Sequence, residues 1–170
     1  EPELRRLRAR TGFVFQDAAL WSNQSLEANL DLPLQAKFPA LDRGGRRRLI
    51  DEALREFGFA LDLEARPASL PQGQRQFVSF LRALIPGPEV LFLDEPTAAL
   101  DDRWRQALLR KLAELRAQGV TVVATSRDPE LATAMVDQLV VLEGGRIQSR
   151  HTGQALREFL HDRPPEVRPR

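Results

Sequence analysis

Residues 90–101 read Val-Leu-Phe-Leu-Asp-Glu-Pro-Thr-Ala-Ala-Leu-Asp, an apolar run that ends in two carboxylates. The run predicts a strand buried on both faces of a parallel sheet, with Asp94 and Glu95 at its carboxyl end. Open α/β sheets place ligand sites at that end, where an aspartate can hold Mg²⁺ and a glutamate can polarise water. Taken alone, the pattern is more typical of a strand end whose acids cap the next helix.

A second stretch, Ser-Leu-Pro-Gln-Gly-Gln-Arg-Gln, occupies residues 69–76. Gly73 stands at the start of a helix predicted over 74–84, and a glycine there lets the backbone approach a phosphate. The first turn of a helix also offers unpaired N–H groups and a partial positive charge. The stretch therefore predicts a loop that contacts phosphate, although a glycine needed only for chain geometry would give the same pattern.

The order of the predicted elements is that of an α/β fold. Periodicity and turn residues predict strands at 11–16, 90–93, 120–124, 138–143 and 146–149. They predict helices at 25–38 with an interruption at Pro33, and at 46–57, 74–84, 103–118, 129–134 and 153–161. Residues 1–10 suit a short helix or an exposed lead-in. Residues 18–72 carry no strand signal, which predicts a helical insertion on a sheet domain.

The bulk composition excludes several kinds of protein. The 170 residues suit one domain, and 42% hydrophobic with 29% charged residues is an ordinary globular composition. A net charge of +1 does not favour nucleic acid, and the lack of cysteine excludes disulfides and thiolate metal sites. No apolar run approaches the roughly 18 residues of a membrane span, and no signal peptide is visible.

Three stretches occur in the order found in one known family: Gly-Phe-Val-Phe-Gln at 12–16, Leu-Pro-Gln-Gly-Gln-Arg-Gln at 70–76, and the run at 90–101. Together they resemble the nucleotide-binding domain of ATP-binding-cassette (ABC) transporters. The resemblance implies an α/β, P-loop NTPase-type parallel sheet core that lacks its N-terminal strands and carries an inserted helical subdomain. It divides the chain into a core strand with the Q-loop (1–17), a helical subdomain (18–72), the ATPase core (73–162) and a disordered tail (163–170).

The resemblance implies roles for three residues of one nucleotide site. Asp94 would be the Walker B ligand of Mg²⁺, and Glu95 would be the catalytic base that polarises the attacking water. Gln16 would be the Q-loop glutamine, which contacts Mg²⁺ and that water. A solvent-facing glutamine at a strand end is the alternative for Gln16. The implied cofactors are ATP and Mg²⁺.

Further residues are implied to face partner proteins. Gly73 and Gln74 belong to the signature loop and Asp101 to the D-loop, and both loops act across a dimer of nucleotide-binding domains. Residues 29–34, Asn-Leu-Asp-Leu-Pro-Leu, resemble the segment that faces the transmembrane permease. Their apolar side chains are equally consistent with the core of the helical subdomain. A permease and a second nucleotide-binding domain are therefore the expected partners.

Three features depart from the family pattern. The sequence contains no G-x-x-x-x-G-K-[ST] motif, the Walker A loop that holds the β- and γ-phosphates. In the signature loop Pro71 replaces a serine and Gln72 a glycine, which removes a hydroxyl and adds a side chain. Arg127 replaces the switch histidine. It can contact a γ-phosphate as a cation, unless it is only a surface arginine, but it cannot titrate near neutral pH.

Two explanations for these departures stay open and are compatible. The chain is a piece cut after the P-loop, or it is a degenerate subunit that sits opposite a competent cassette. The sequence predicts an ABC transporter ATP-binding subunit, peripheral on the cytoplasmic face of the membrane, that hydrolyses negligible ATP alone. A non-catalytic subunit that scaffolds a partner cassette or permease is the alternative. A relative from DNA repair or chromosome maintenance is disfavoured because no heptad coiled coil is present, and no nucleic-acid partner is expected.

Overall fold

The computed structural model describes residues 2–128, 130–132 and 136–162. The chain divides into two compact units, Glu1–Thr125 and Ser126–Arg170. The disordered tail predicted at 163–170 lies outside the described residues, as does most of the helix predicted at 129–134, of which 130–132 are helical. The domain boundaries predicted at 17/18 and 72/73 stay predictions.

The first five α-helices follow a polar capping residue or begin beside a proline. The longer α-helices are α1 (Pro2–Arg10), α2 (Leu26–Lys37), α3 (Arg43–Glu56), α4 (Gln72–Leu84), α5 (Asp102–Ala117) and α6 (Gly153–Asp162). A 3₁₀ turn covers Pro67–Ser69. The side chains of Ser25, Asp42 and Asp101 cap α2, α3 and α5 by accepting a hydrogen bond from a first-turn N–H. In the described part of the chain, every helix is too short or too polar to span a bilayer.

Three of the predicted helices differ from the structure in detail. The interruption expected at Pro33 is wrong, because α2 continues through it. Leu26, Leu30 and Leu34 of α2 are all 0% exposed, so the burial of this face outweighs the N–H that Pro33 lacks. Helix α3 starts at residue 43 rather than 46 because Asp42 caps it there, and α4 starts at 72 rather than 74.

The first unit is built on a parallel sheet in the order β1–β2–β3. Its strands are β1 (Thr11–Val14), β2 (Val90–Asp94) and β3 (Thr121–Thr125). Val14 pairs with Leu93, and Asp94 pairs with Thr125. Since the three strands run in the same direction, their carboxyl ends lie at one edge of the sheet.

The strands are less buried than predicted. Leu91 and Leu93 of β2 are 0% and 3% exposed, whereas Phe92 is partly exposed and stacks on Phe13 with ring centroids 4.8 Å apart. Val123 pairs with Phe92 and is 50% exposed. The prediction that β2 is buried on both faces is therefore wrong, because Phe92 and the neighbouring Val123 lie on an exposed face of the sheet. The opposite face of the sheet packs on helices, with α4 against β1 and α5 against β3.

An aromatic cluster joins the helices of the first unit. Phe77 of α4 is 0% exposed and lies at the centre of this cluster. Its ring centroid is 5.0 Å from that of Phe57, 5.4 Å from that of Phe59 and 4.5 Å from that of Trp104. These rings come from the end of α3, the following loop and the start of α5, so the cluster fixes α4 against both neighbouring helices.

The second unit contains a hairpin and α6. Strands β4 (Gln138–Glu143) and β5 (Arg146–Thr152) are antiparallel. The turn between them uses Gly144 and Gly145, whose φ angles of +56° and +74° suit glycine at both positions of a tight hairpin turn. Helix α6 packs on the hairpin, where Phe159 stacks on His151 with centroids 4.0 Å apart. The predicted hairpin is confirmed, and β5 is longer than predicted.

Candidate functional site

The carboxyl edge of the sheet brings the predicted acids together with the turn that follows β1. Asp94 is the last residue of β2 and lies beside Thr125, the last residue of β3. Strand β1 ends at Val14 rather than at the predicted residue 16, so Gln16 lies in an exposed turn two residues beyond that edge strand. The topology therefore places Gln16, Asp94 and Glu95 at the same edge of one sheet.

Thr125 contacts both acidic residues. Its Oγ1 donates a hydrogen bond of 2.5 Å to Oδ1 of Asp94. The main-chain N–H of Glu95 donates to the carbonyl oxygen of Thr125 at 3.1 Å and to its Oγ1 at 3.2 Å. Glu95 has a φ of +46°, a left-handed conformation that is uncommon for a residue with a side chain. Glu95, the predicted base, therefore has an uncommon backbone conformation.

Hydrogen bonds from two side chains of α4 hold the turn that carries Gln16. Nε2 of Gln76, a side chain only 3% exposed, donates to the carbonyl oxygen of Phe15 at 3.1 Å. Arg82 donates to the carbonyl oxygens of Ala18 and Ala19, two residues with positive φ. Burial lowers the pKa of Arg82 because desolvation disfavours its charged form. Helix α4, which carries Gln76 and Arg82, therefore determines the shape of this turn.

Asn29 of α2 holds the far end of the same loop. Its side chain is 1% exposed, accepts from the Trp21 N–H at 2.7 Å and donates to the Trp21 carbonyl at 3.1 Å. It also donates to the carbonyl of Ser25 at 2.9 Å. Leu30 and Leu34 are core residues, so the subdomain-core interpretation of residues 29–34 is correct for these side chains. Leu32 is 38% exposed and remains available to a partner.

Gly73 lies against the loop that follows β2. A Cβ atom at Gly73 would lie only 2.6 Å from the carbonyl oxygen of Ala99. Glycine is therefore required here because two backbone segments approach closely, which is the chain-geometry alternative; a role toward phosphate stays a prediction. Pro71 precedes α4 without a side-chain cap, so the first N–H groups of α4 have no capping side chain. Gln74, in the same turn, is partly exposed.

Asp101 has a structural role, while its predicted role across a dimer stays a prediction. Its Oδ1 accepts a hydrogen bond of 2.9 Å from the N–H of Trp104 and so caps α5. Arg127 belongs to the second unit and is exposed. Beside it, Oδ1 of Asp128 accepts a hydrogen bond from the N–H of Glu130 at 2.9 Å, the kind of bond made by a residue that caps a helix start.

A groove on the helical part of the first unit lies next to the loop after β1. Its cavity volume is about 420 Å³, and its lining includes Trp21 and Leu32 beside the ion pair of Asp31 and Arg46. Burial raises the pKa of Asp31, but hydrogen bonds from Arg46 and Gln35 and the charge of Arg46 bring the pKa below its ordinary value. The groove therefore contains the half-exposed indole of Trp21 and the ion pair of Asp31 and Arg46.

Sequence reasoning missed the residues that support the site. Thr125 and Gln76 contact a carboxylate or a main-chain group far away in sequence, whereas Asn29 contacts the main chain of Trp21, eight residues away. The 31-residue gap between Asp94 and Thr125 and the 61-residue gap between Phe15 and Gln76 become contacts only through the sheet and α4. The one local signal for the contact with Asp94 was a small polar residue, Thr125, at a strand end.

The residues present fit one part of a Mg²⁺–ATP site. Asp94 offers an exposed carboxylate at the sheet edge, the kind of donor with which Mg²⁺ is bound together with phosphates and water. Among residues 2–128, 130–132 and 136–162, no group of three or more His, Cys, Asp or Glu side chains could hold a metal ion. The sequence has no Walker A motif, so no residue here matches the loop that encloses the phosphates.

Known proteins are similar in sequence to this chain, some of them over nearly its whole length. A family model described as ABC transporter matches residues 1–98. The methionine import ATP-binding protein MetN 2 of Burkholderia pseudomallei is 35% identical over 175 residues, which cover 95% of this chain and 44% of that protein. The macrolide export ATP-binding/permease protein MacB of Bordetella avium is 36% identical over 168 residues, which cover 97% of this chain and 25% of that protein.

A solved structure agrees with this sequence similarity. The dimeric post-hydrolysis state of the ATP-binding cassette MJ0796, bound to ADP and Pi, matches with a TM-score of 0.81 and 29% sequence identity. The match covers 89% of this chain and 67% of that chain. This chain spans less than half the length of the two curated relatives. Because the family model covers more than half of its residues, the chain belongs to the ABC transporter family.

Proposed function

We propose that this chain is part of the ATP-binding subunit of an ABC transporter, which couples ATP binding and hydrolysis to transport through a membrane permease. The observation that carries the proposal is the position of Asp94, Glu95 and the Gln16 turn at one carboxyl edge of a parallel sheet. In open α/β folds this edge binds the ligand. The subunit would lie peripherally on the cytoplasmic face of the membrane, where it contacts the permease.

In this proposal each residue at the sheet edge has one task. Mg²⁺, when bound with ATP, supplies positive charge that stabilises the phosphoryl group during transfer. Asp94 would hold the metal through its exposed carboxylate. Glu95 would accept a hydrogen bond from the attacking water and polarise it, and Gln16 would contact the metal and the same water. The hydrogen bonds from Gln76 and Arg82 to the turn would limit the positions that Gln16 can take.

A second cassette would complete the site. The uncapped N–H groups at the start of α4, including those of Gly73 and Gln74, would point at the γ-phosphate of nucleotide held by the partner. Pro71 offers no hydroxyl there, so this contact would be weaker than with serine. Asp101 would act across the dimer, and Arg127 would add a permanent cation toward the phosphates. MJ0796 is dimeric in its solved structure, which supports a two-cassette assembly.

The groove beside the loop after β1 would receive the permease. Trp21 and Leu32 are 50% and 38% exposed, and the loop that carries Trp21 also leads to Gln16. A partner held in the groove would therefore act on the nucleotide site through that loop. Leu32→Arg should reduce co-purification with the permease, whereas Leu142→Arg, at a 66% exposed leucine of the second unit, should not. Equal recovery of the permease with both variants would contradict this placement.

The enzymatic proposal is tested by an ATPase assay of the chain with the permease and cassette encoded beside it. Glu95→Gln should lower kcat by about 10²-fold or more, the usual contribution of a positioned general base. Glu52→Gln changes an exposed glutamate on α3 and should leave the rate unchanged. Activity that is indifferent to Glu95→Gln would show that Glu95 is not the working base.

A non-catalytic scaffold is the second candidate. Pro71 in the signature loop and Arg127 in the switch favour it, since each replaces a group that acts on the γ-phosphate in the family. The isolated 170-residue chain is expected to bind ATP weakly. Calorimetric titration with Mg-ATP measures this, and a micromolar affinity for the isolated chain would contradict it. A loss of partner ATPase on removal of this chain, with no effect of Glu95→Gln, would establish the scaffold.

A further inference from the structure

One side chain, Thr125, organises both acids at the sheet edge. It is in register with Asp94, and its hydroxyl donates to Oδ1 of that residue at 2.5 Å. In the part of the chain that the structure describes, the Asp94 carboxylate has no other hydrogen-bond donor, so Thr125 alone orients it. With Oδ1 engaged, Oδ2 is the carboxylate oxygen left to face a ligand.

The same hydroxyl contributes to the backbone of Glu95. A threonine hydroxyl has one proton to donate and lone pairs with which to accept. Here the proton is used on Asp94, and a lone pair accepts from the Glu95 N–H at 3.2 Å, beside the 3.1 Å bond to the Thr125 carbonyl. Glu95 is held at a φ of +46°, a conformation that persists where the surroundings enforce it. The hydroxyl therefore links the direction of Asp94 to the backbone of Glu95.

We infer that Thr125 is a positioning residue of the candidate metal site, acting through Asp94 and Glu95 rather than on a ligand itself. This inference rests on the proposed function, in which Asp94 binds Mg²⁺. Hydrogen-bonding partners of metal-binding carboxylates determine their orientation, and their loss commonly costs about tenfold or more in metal affinity. Valine has the shape of threonine without the hydroxyl, and serine keeps the hydroxyl without the methyl group, so the two variants separate hydrogen bonding from packing.

Strand β3 itself offers a matched control. Thr121 and Thr125 are the first and last residues of the strand, point to the same face and are both exposed. Thr121 pairs with Val90, at the end of β2 remote from the acids. Thr121→Val therefore makes the same chemical change on the same strand without touching the acids. Because both positions are exposed, neither variant is expected to unfold the chain.

The test uses Mn²⁺ alone as a paramagnetic probe for the Mg²⁺ position in the full 170-residue chain. Amide signals of Asp94 and Glu95 are followed by nuclear magnetic resonance while Mn²⁺ is added. We expect selective broadening of these signals in the wild type and its loss in Asp94→Asn. Thr125→Val should need about tenfold more Mn²⁺ for the same broadening. Thr125→Ser and Thr121→Val should behave as the wild type within about twofold.

The outcomes separate the inference from the proposed function. If Asp94→Asn abolishes the broadening while Thr125→Val broadens as the wild type does, the positioning role is overturned and the metal assignment stands. If the wild type shows no selective broadening, or Asp94→Asn leaves it unchanged, the metal assignment fails and the inference fails with it. If Thr125→Ser is as weak as Thr125→Val, the methyl group and not the hydroxyl matters, which also overturns the inference.

Discussion

Replacing Gly73 with alanine tests the close contact between α4 and the loop after β2. The added Cβ would lie 2.6 Å from the Ala99 carbonyl oxygen and 3.8 Å from the Leu100 Cα. Non-bonded heavy atoms need about 3.5 Å, so the two backbones would have to separate by roughly 0.9 Å. The obstacle is main chain, so no side-chain rotation can relieve it. Such overpacking costs about 1–3 kcal/mol.

A helix-propensity gain opposes this cost. Alanine in place of glycine favours a helix by about 1 kcal/mol when nothing obstructs it. Gly44 provides the reference, because it is the second residue of α3 as Gly73 is of α4. A Cβ added at Gly44 would lie 3.8 Å from the Asp42 carboxylate, which is an ordinary van der Waals contact. We expect Gly44→Ala to stabilise the protein by up to about 1 kcal/mol and Gly73→Ala to destabilise it by a net amount of up to about 2 kcal/mol.

Urea unfolding followed by tryptophan fluorescence measures both changes. Trp21 and Trp104 belong to the first unit, so the signal reports the unit that contains the contact. Opposite signs for the two glycine variants would support a close backbone approach at Gly73. If Gly73→Ala were as stable as Gly44→Ala, the loop at Ala99 would yield without cost, and the geometric reason for this glycine would be wrong.

Three further changes have clear expected outcomes. Asn29→Ala should destabilise the first unit by about 1–3 kcal/mol and speed proteolysis of the loop at Trp21, since it removes a buried side chain that bonds both the N–H and the carbonyl of Trp21. Asp101→Ala should cost about 1 kcal/mol in urea unfolding while Asp101→Asn keeps the helix cap, so only the former should change stability. The lowered pKa of Asp31 means that its pair with Arg46 stabilises the fold above about pH 4 and is lost as the pH falls through that pKa. The stability difference between the wild type and Asp31→Asn should therefore be present at pH 7 and shrink below about pH 4 in urea titrations at several pH values.

The sequence predicted the sheet edge because its signal is local. An apolar run followed by Asp94 and Glu95 predicts a strand whose end carries acids, and parallel strands place their carboxyl ends at one edge of the sheet. Helix α5 was predictable for the same reason: Leu108, Leu112 and Leu115 recur at helical spacing and are buried. A hydrophobic period that extends over many residues predicts a helix even where single residues depart from it, which is why α5 could be predicted.

The supporting contacts could not be predicted because they depend on register. Which residue of β3 faces Asp94 follows from strand pairing, and a shift of one residue would put Ala124 there instead of Thr125. The predicted interruption at Pro33 was wrong for a related reason. The rule that proline breaks a helix is local, whereas the packing of Leu30 and Leu34 keeps α2 continuous. Tertiary packing, rather than local propensity, determines both which residue lies opposite Asp94 and whether α2 continues through Pro33.

Helix α4 links the two surfaces that the proposed function assigns to partners. Near its start, Gly73 touches the loop that leads to Asp101, and Gln76 holds the carbonyl of Phe15 beside Gln16. The aromatic cluster at Phe77 packs this helix tightly, so we expect it to move as one body. In the proposed assembly, a displacement of the Gln16 turn by a permease would therefore pull on the same helix whose first turn would face a second cassette. Coupling between permease and dimer would then require no flexible relay, because both contacts of α4 lie within one turn of the helix.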